Sequence, residues 1–461
     1  MKEKPWAGRF KQGVNKKFEQ FSESISFDYR LARYEVQVGI AHIEMLSKKR
    51  IISKKDARKI VQGLKKIEQE IKAGRFQFKP ELEDVHMNIE ARLFELIGES
   101  AGKLHIARSR NDLVATDVRL WLKDELKIVQ GRLKSIVQTL LEKAEKQIGI
   151  VMPGFTHTRF AQPVLLSHWL LAYAQMLIRD YQRFAQLLKS ADLCPLGSGA
   201  LAGSNYPLDR NLVAKKLGFS GITENSLDAV SDRDFLIEFA SVSAILMMHL
   251  SRLSEELIGL SGEAYRFFEL PESLCTGSSI MPNKKNPDSA ELIRGKAGRV
   301  FGDLIALLVM MKGTPLAYNR DFQEDKPAVF DCADTVKNCL EIMELIVKGL
   351  KPNKREMEKA CEQGYILATD LADYLVKKGM GFRQAHNIVG KLVRYCEARG
   401  KKFEDLSLSE YKKISELFDD GVYKILSLRA SVEAKDLLGG TASHQVKIQI
   451  KKIKSGLKNG I

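Results

Sequence analysis

The sequence predicts an all-α protein built on a bundle of long helices. Three observations predict it: apolar residues recur at helical spacing over long windows, strand-like alternation is nearly absent, and 461 residues hold only 12 prolines and 33 glycines. The longest window runs from Asp112 to Ile148. Its apolar stripe is Leu122, Leu126, Val129, Leu133, Ile136, Leu140 and Ala144, in steps of three and four that stay on one face. At ~1.5 Å per residue this helix would span ~50 Å.

A second stripe runs Phe235, Phe239, Val242, Leu246, Leu253, Leu257 and Leu260. A third runs Leu292, Lys296, Val300, Leu304, Leu307 and Met311, with one lysine in it. The windows 163–190 and 327–349 read the same way. Shorter helices fill the first 110 residues, around a loop at Gly74–Asp84. They return after residue 360, with loops at Gly379–Gly381 and Gly400–Lys402. Three parts follow: a mostly helical N-terminal domain (1–110), a central long-helix bundle and oligomerisation domain (111–360), and a small helical C-terminal domain (361–461). Long amphipathic helices that bury one face on each other often bury a second on another copy, so a homo-oligomer is expected.

Lysine and arginine number 73 against 58 acidic residues, a net charge of +15. The basic residues are spread along the chain, with a modest concentration at Lys447, Lys451, Lys452, Lys454 and Lys458. No RNP, zinc-finger or homeodomain pattern is present, so the charge points to solvation and to an anionic small ligand, not to nucleic acid. Cysteines 194, 275, 332, 339, 361 and 396 form neither a CxxC pair nor a zinc-spaced cluster, and free thiols suit a reducing cytoplasm. The first residues lack the apolar run of a signal peptide, and no apolar stretch approaches the ~20 residues of a membrane span. No membrane partner, metal or cofactor is expected.

The breaks between the long helices carry the chemistry. Gly277-Ser278-Ser279-Ile280-Met281-Pro282-Asn283-Lys284-Lys285-Asn286-Pro287 joins glycine, serines, lysines and asparagine ahead of a helix. Such a loop can close over a ligand and point backbone N–H groups inward, while lysine neutralises a carboxylate and Asn286 hydrogen-bonds it. A plain helix start, with Asn286 as N-cap and Pro287 at the first position, explains residues 286–291 but not the Ser-Ser and Lys-Lys pairs. In Gly154-Phe155-Thr156-His157-Thr158-Arg159, a histidine between threonines before a helix can carry a proton. Ser109-Arg110-Asn111-Asp112 opens the longest helix, where an anion site and a capping box can coexist. Tyr318–Lys326, dense in polar groups, reads by itself as a solvated loop. Gly197-Ser198-Gly199-Ala200-Leu201-Ala202 satisfies GxGxxA but follows a helix and Pro195, so it is not a dinucleotide fingerprint.

In this order the segments resemble the fumarase/aspartase superfamily, whose signature regions match those around 109–112, 156–163 and 277–291. Nearly the whole chain is similar to the argininosuccinate lyase family within it. The likeness rests on Trp6–Phe10, Ser109–Asp112, Leu196–Gly203, Ser231–Phe235, Gln323–Lys326, Ala368–Ala372 and Phe382–His386. The resemblance implies a cofactor-free, cytoplasmic β-elimination of argininosuccinate to arginine and fumarate in arginine biosynthesis. It also implies a homotetramer whose active sites each draw on three subunits. By resemblance, Ser278 is the general base, His157 with Glu291 the proton-transfer partner, and Lys284 and Asn286 the grip on the fumarate-side carboxylates. Ser109, Arg110, Asn111 and Thr156 would help there. Ser24, Asp28, Tyr318, Gln323 and Lys326 would hold the arginine side, with His86 and Arg233 nearby. Asn283 departs from the family's more usual glutamine. Loop closure over 277–286 is expected to dehydrate Ser278 beside Lys284. The alternatives are a lyase for another N-substituted aspartate such as adenylosuccinate, a silent scaffold on the same fold, and a basic nucleic-acid-binding protein.

Overall fold

The computed structural model describes residues 12–458; the Trp6–Phe10 motif lies outside them. Helices dominate as expected. The principal ones are α1 (Ala32–Lys48), α2 (Lys54–Lys72), α3 (Val85–Ile97), α4 (Arg110–Lys146), α5 (Leu166–Ala191), α6 (Asp234–Ser261), α7 (Asp288–Met311) and α8 (Asp325–Gly349). The smaller α9 (Ala368–Lys377), α10 (Phe382–Glu397) and α11 (Ser443–Lys458) follow.

The chain divides into two compact units. One comprises Met1–Gln130, Arg183–Ala244 and Gly298–Lys337. The other comprises Gly131–Gln182, Ile245–Ala297 and Asn338–Ile461. The stripe expected on α4 is its buried face, from Leu122 to Ala144. On α6 Val242 is half-buried and the rest of the stripe is buried.

The stripe expected on α7 is corrected. Leu292 is 61% exposed, and the buried row is Ala290, Ile293, Ala297, Val300 and Leu307. Val300 and Leu307 are buried as expected, whereas Leu292 is exposed and Lys296, Leu304 and Met311 are only half-buried. Outside the buried row, Leu292, Phe301, Ile305, Leu308 and Val309 are exposed.

A β-hairpin was not anticipated. Strands β1 (Val151–Thr156) and β2 (Arg159–Leu165) pair antiparallel, with Phe155 opposite Phe160 and Thr156 opposite Arg159. His157 and Thr158 form its two-residue turn. Both have positive φ, 53° and 60°, the twist a type I′ turn demands and that asparagine-glycine usually supplies. For β-branched Thr158 that conformation is strained.

Contrary to the sequence reading, α6 meets the length and hydropathy of a membrane span, though half of its apolar window is buried inside the protein. It packs as a core helix: Phe235, Phe239, Leu246 and Leu257 are buried, and His249 Nδ1 meets the buried Asp180 at 2.7 Å. The C-terminal segment has its own core of Leu371, Leu375, Ala385, Val389, Leu392, Phe403, Tyr411 and Phe418.

Candidate active site

The N-terminus of α4 is built by its own capping residue and a distant loop. Ser109 N–H donates to Asp112 Oδ1 at 2.9 Å, half of the expected capping box. The other oxygen of buried Asp112 accepts the N–H groups of Gly197 (2.9 Å) and Gly199 (2.8 Å). Gly197 and Gly199 have φ of +97° and +60°, which glycine adopts freely. Asn111 Nδ2 donates to Ala200 O at 3.0 Å. The GxGxxA segment therefore supports the Ser109–Asn111 turn; the residues before it do not all finish a helix, since Leu193–Cys194 pairs in parallel with Gly221–Ile222.

The same unit gathers the arginine-side candidates. Ser24 Oγ donates to Asp28 Oδ2 at 2.6 Å, and Asp28 Oδ1 accepts the Val85 N–H at 3.2 Å. Burial pushes Asp28 up to about 6, although the Ser24 bond pulls it back. Arg110 meets Asp84, the N-cap of α3, at 3.1 Å. Gln323 Nε2 donates to the carbonyls of Ser22 and Glu23, both at 3.3 Å. Arg320 ties the same segment to Glu83 at 2.9 Å. Ser22, Glu83, Arg110, Arg320 and Gln323 line a groove of ≈ 670 Å³.

The 318–326 segment is not the solvated loop its composition suggests. Asp325 and Lys326 are buried, and Tyr318 is partly so. Asp325 accepts from Arg233 Nε (2.5 Å) on one oxygen and from Lys326 Nζ (2.6 Å) on the other. Arg233, fully buried, also lies over the Phe322 ring at 4.9 Å. Burial and then the Asp325 charge raise the pKa of Tyr318.

His86, in the same unit, sits in a charged cluster that motif reading missed. Its Nδ1 is 2.6 Å from Glu35 Oε2 and 4.0 Å from Asp117 Oδ2, and Arg108 approaches Glu35 at 3.4 Å. The carboxylate and imidazole atoms lie within 4.8 Å of one another, but Arg108 already supplies the cation such a group needs. A signal was present: Asp117 interrupts the buried row of Leu113, Val114, Val118 and Trp121.

The other unit holds the candidates for the chemistry. Thr276–Gly277 pairs antiparallel with Lys285–Asn286, so 278–284 is a loop closed at its base. Asn286 belongs to this ladder and is not the helix cap; α7 opens at Asp288, whose carboxylate accepts the Thr276 N–H at 2.9 Å. Ser278 Oγ accepts hydrogen bonds from the N–H groups of Ile280 (3.3 Å) and Met281 (3.0 Å). Lys284, Asn286 and Glu291 line a cavity of ≈ 920 Å³ together with Arg266, Lys351 and Lys354. Thr156 and His157 lie exposed at the hairpin tip. Among the described residues, no hydrogen bond or ion pair joins His157 to Ser278 or Glu291.

The fold places the chain in a class. A crystal structure of EDDS lyase in complex with formate superposes with a TM-score of 0.85 at 31% identity, covering 94% of this chain and 87% of that one. A class II fumarase from Schistosoma mansoni shares the fold, with a TM-score of 0.72 at 17% identity over 86% of this chain and 90% of its own. Residues 8–302 match the family described as Lyase. The class is an all-helical lyase of the fumarase/aspartase superfamily.

Residues 365–433 match the family described as Argininosuccinate lyase C-terminal. The argininosuccinate lyase of Symbiobacterium thermophilum is 52% identical over 447 residues, 97% of this chain and 97% of its own. That of Syntrophotalea carbinolica is 52% identical over 450 residues, 98% of each. The chain belongs to the argininosuccinate lyase family and is a carbon–nitrogen lyase.

Proposed function

We infer that this chain cleaves argininosuccinate to arginine and fumarate by β-elimination, a step of arginine biosynthesis. The observation that carries the chemistry is the pair of backbone N–H groups on Ser278 Oγ. A serine is a weak base unless its deprotonated oxygen is stabilised, and hydrogen bonds to that oxygen favour the charged form. Ser278 removes the proton beside a substrate carboxylate. The electron pair forms the carbon–carbon double bond as the carbon–nitrogen bond breaks, and His157, supported by Glu291, protonates the departing guanidino nitrogen.

Lys284 and Asn286 hold the fumarate-side carboxylates, where negative charge builds, with help from Ser109, Arg110, Asn111 and Thr156. Ser24, Asp28, Tyr318, Gln323 and Lys326 hold the arginine side, with His86 and Arg233 beside them. No observation favours adenylosuccinate, nucleic acid or a silent scaffold.

The working unit is a homotetramer with sites shared between three subunits. Support comes from the exposed apolar residues Phe301, Ile305, Leu308 and Val309 of α7, and from the exposed His157 and Glu291. The division into 1–110, 111–360 and 361–461 belongs to the same reading; the separate C-terminal core supports its last boundary. Six free cysteines support a cytoplasmic location.

The test is fumarate release, followed by absorbance, with argininosuccinate, adenylosuccinate and aspartate in parallel. Turnover with argininosuccinate alone is expected. A folded protein inactive on argininosuccinate would overturn the reading.

A further inference from the structure

His86 is held by a buried apparatus that the proposed reaction does not use directly. Glu35 on α1 takes His86 Nδ1 on one oxygen at 2.6 Å and Arg108 on the other at 3.4 Å. Asp117 on α4 lies 4.0 Å from the same Nδ1, with side-chain exposure of 0%. Two carboxyl groups so close in a dry site cannot both ionise cheaply. Burial, and then the Glu35 charge, push Asp117 well above the carboxylate range, so Asp117 keeps its proton. Burial works against a charged Glu35 as well, but His86 and Arg108 outweigh it and hold its carboxyl below the ordinary range. Burial likewise opposes a charged His86, and Glu35 more than reverses that.

The other elements around His86 add few charges. Asp84 caps its own helix, and Arg110 on α4 pairs with Asp84 at 3.1 Å. Asp28, on the short helix Ile25–Asp28, bonds the backbone of Val85. Glu70 on α2 pairs with Arg92 at 2.8 Å, His105 from Gly98–His105 meets Glu90 at 3.7 Å, and Glu81 on Pro80–Leu82 is exposed.

We propose that Glu35 is a positioning residue: it fixes the ring orientation and the positive charge of His86, so that His86 meets a substrate carboxylate as an imidazolium. Asp117 stays a neutral acid beside the pair, and Arg108 keeps the single charge of Glu35 stable. The inference rests on the reading of His86 as a group at the substrate site.

The experiment compares parent, Glu35→Gln, Glu35→Asp, His86→Asn and the Glu35→Gln/His86→Asn double variant in the full-length protein. Fumarate release is followed from pH 6 to 9, with urea unfolding in parallel. Loss of a carboxylate in contact with a histidine lowers its pKa by about 1–3 units. Glu35→Gln should therefore move the alkaline limb of kcat/KM down by about that much, mostly through KM, and Glu35→Asp should restore part of the shift. In the His86→Asn background, Glu35→Gln should change kcat/KM no further.

A Glu35→Gln profile that keeps the parent's limb, or a full additional loss in the double variant, would overturn the positioning role. Parent-like activity of His86→Asn would remove His86 from the site and the inference with it, while leaving the lyase reading intact. If Glu35→Gln does not fold, the Glu35→Asp profile decides: a smaller downward shift of the same limb supports the role, and the parent's limb overturns it.

Discussion

Around Asp28 the charged side chains are buried and paired, whereas around Ser278 they stand open to solvent. Asp28, Glu35, His86, Arg108, Arg233, Asp325 and Lys326 are all nearly inaccessible. In the other region Ile280 is 86% exposed, and Lys284, Lys285 and Glu291 are exposed too. The first region is rigid by electrostatics: moving one of its groups strands another charge away from water, so its geometry is set before substrate arrives. The second is set at its base, by the two-residue ladder and by Asp288 on Thr276, and within the loop by local hydrogen bonds such as those on Ser278 Oγ. Binding groups gain from being preformed, while a base that must shed water gains from a loop that can close. The comparison teaches where a substitution should cost stability and where it should cost rate.

The largest effect expected is on rate. Ser278→Ala should lower kcat by about 10²–10⁴-fold, the range for a positioned general base, with the urea midpoint unchanged. Near-normal turnover would mean that another group takes the proton. Asp325→Ala sharpens the other side, since it leaves Arg233 and Lys326 buried without their shared partner. A loss of about 3–5 kcal/mol in unfolding free energy is expected, read at fixed protein concentration.

A smaller effect follows from Asp28. Its pKa is about 6 in the fold against the ordinary 3.8. Between those values the folded chain binds more protons than the unfolded chain, so this group's contribution makes stability fall as pH rises through that window. Asp28→Asn should remove that dependence and stabilise the protein at pH 7 by up to about 3 kcal/mol, measured by unfolding at pH 4.5 and 7. An unchanged slope would refute the raised carboxyl. The smallest change is Thr158→Gly at the hairpin tip. Relief of a strained positive φ should stabilise by about 1 kcal/mol in thermal unfolding. Destabilisation would mean that the threonine side chain offsets its strain.

Much of this was legible from residue order, but unevenly. The α4 stripe was read correctly because its steps of three and four keep every member on the covered side. The α7 stripe was misread at its start, where Leu292 was taken in place of its neighbour Ile293; Val300 and Leu307 are buried as expected. The hairpin stayed hidden because Pro153, Gly154 and Pro163 break its alternation and its turn lacks glycine. Lys326 and Arg233 were named as site residues, yet their shared Asp325 was not, since an ion pair across 92 positions leaves no local pattern. Glu35 and Asp117 carried a weak signal, as charges on otherwise apolar helix faces.

By itself the sequence determined the helical class, the lengths of the main helices and the identity of the segments between them. These depend on local propensity and on spacing within one helix, which the chain carries in its own order. Only the tertiary structure decided which face of α7 is covered, which carboxyl near His86 keeps its proton, and that the GxGxxA loop holds the start of α4 through Asp112. Each of those outcomes is set by the dielectric and the neighbours that distant parts of the chain bring to one point, and no residue carries that information alone.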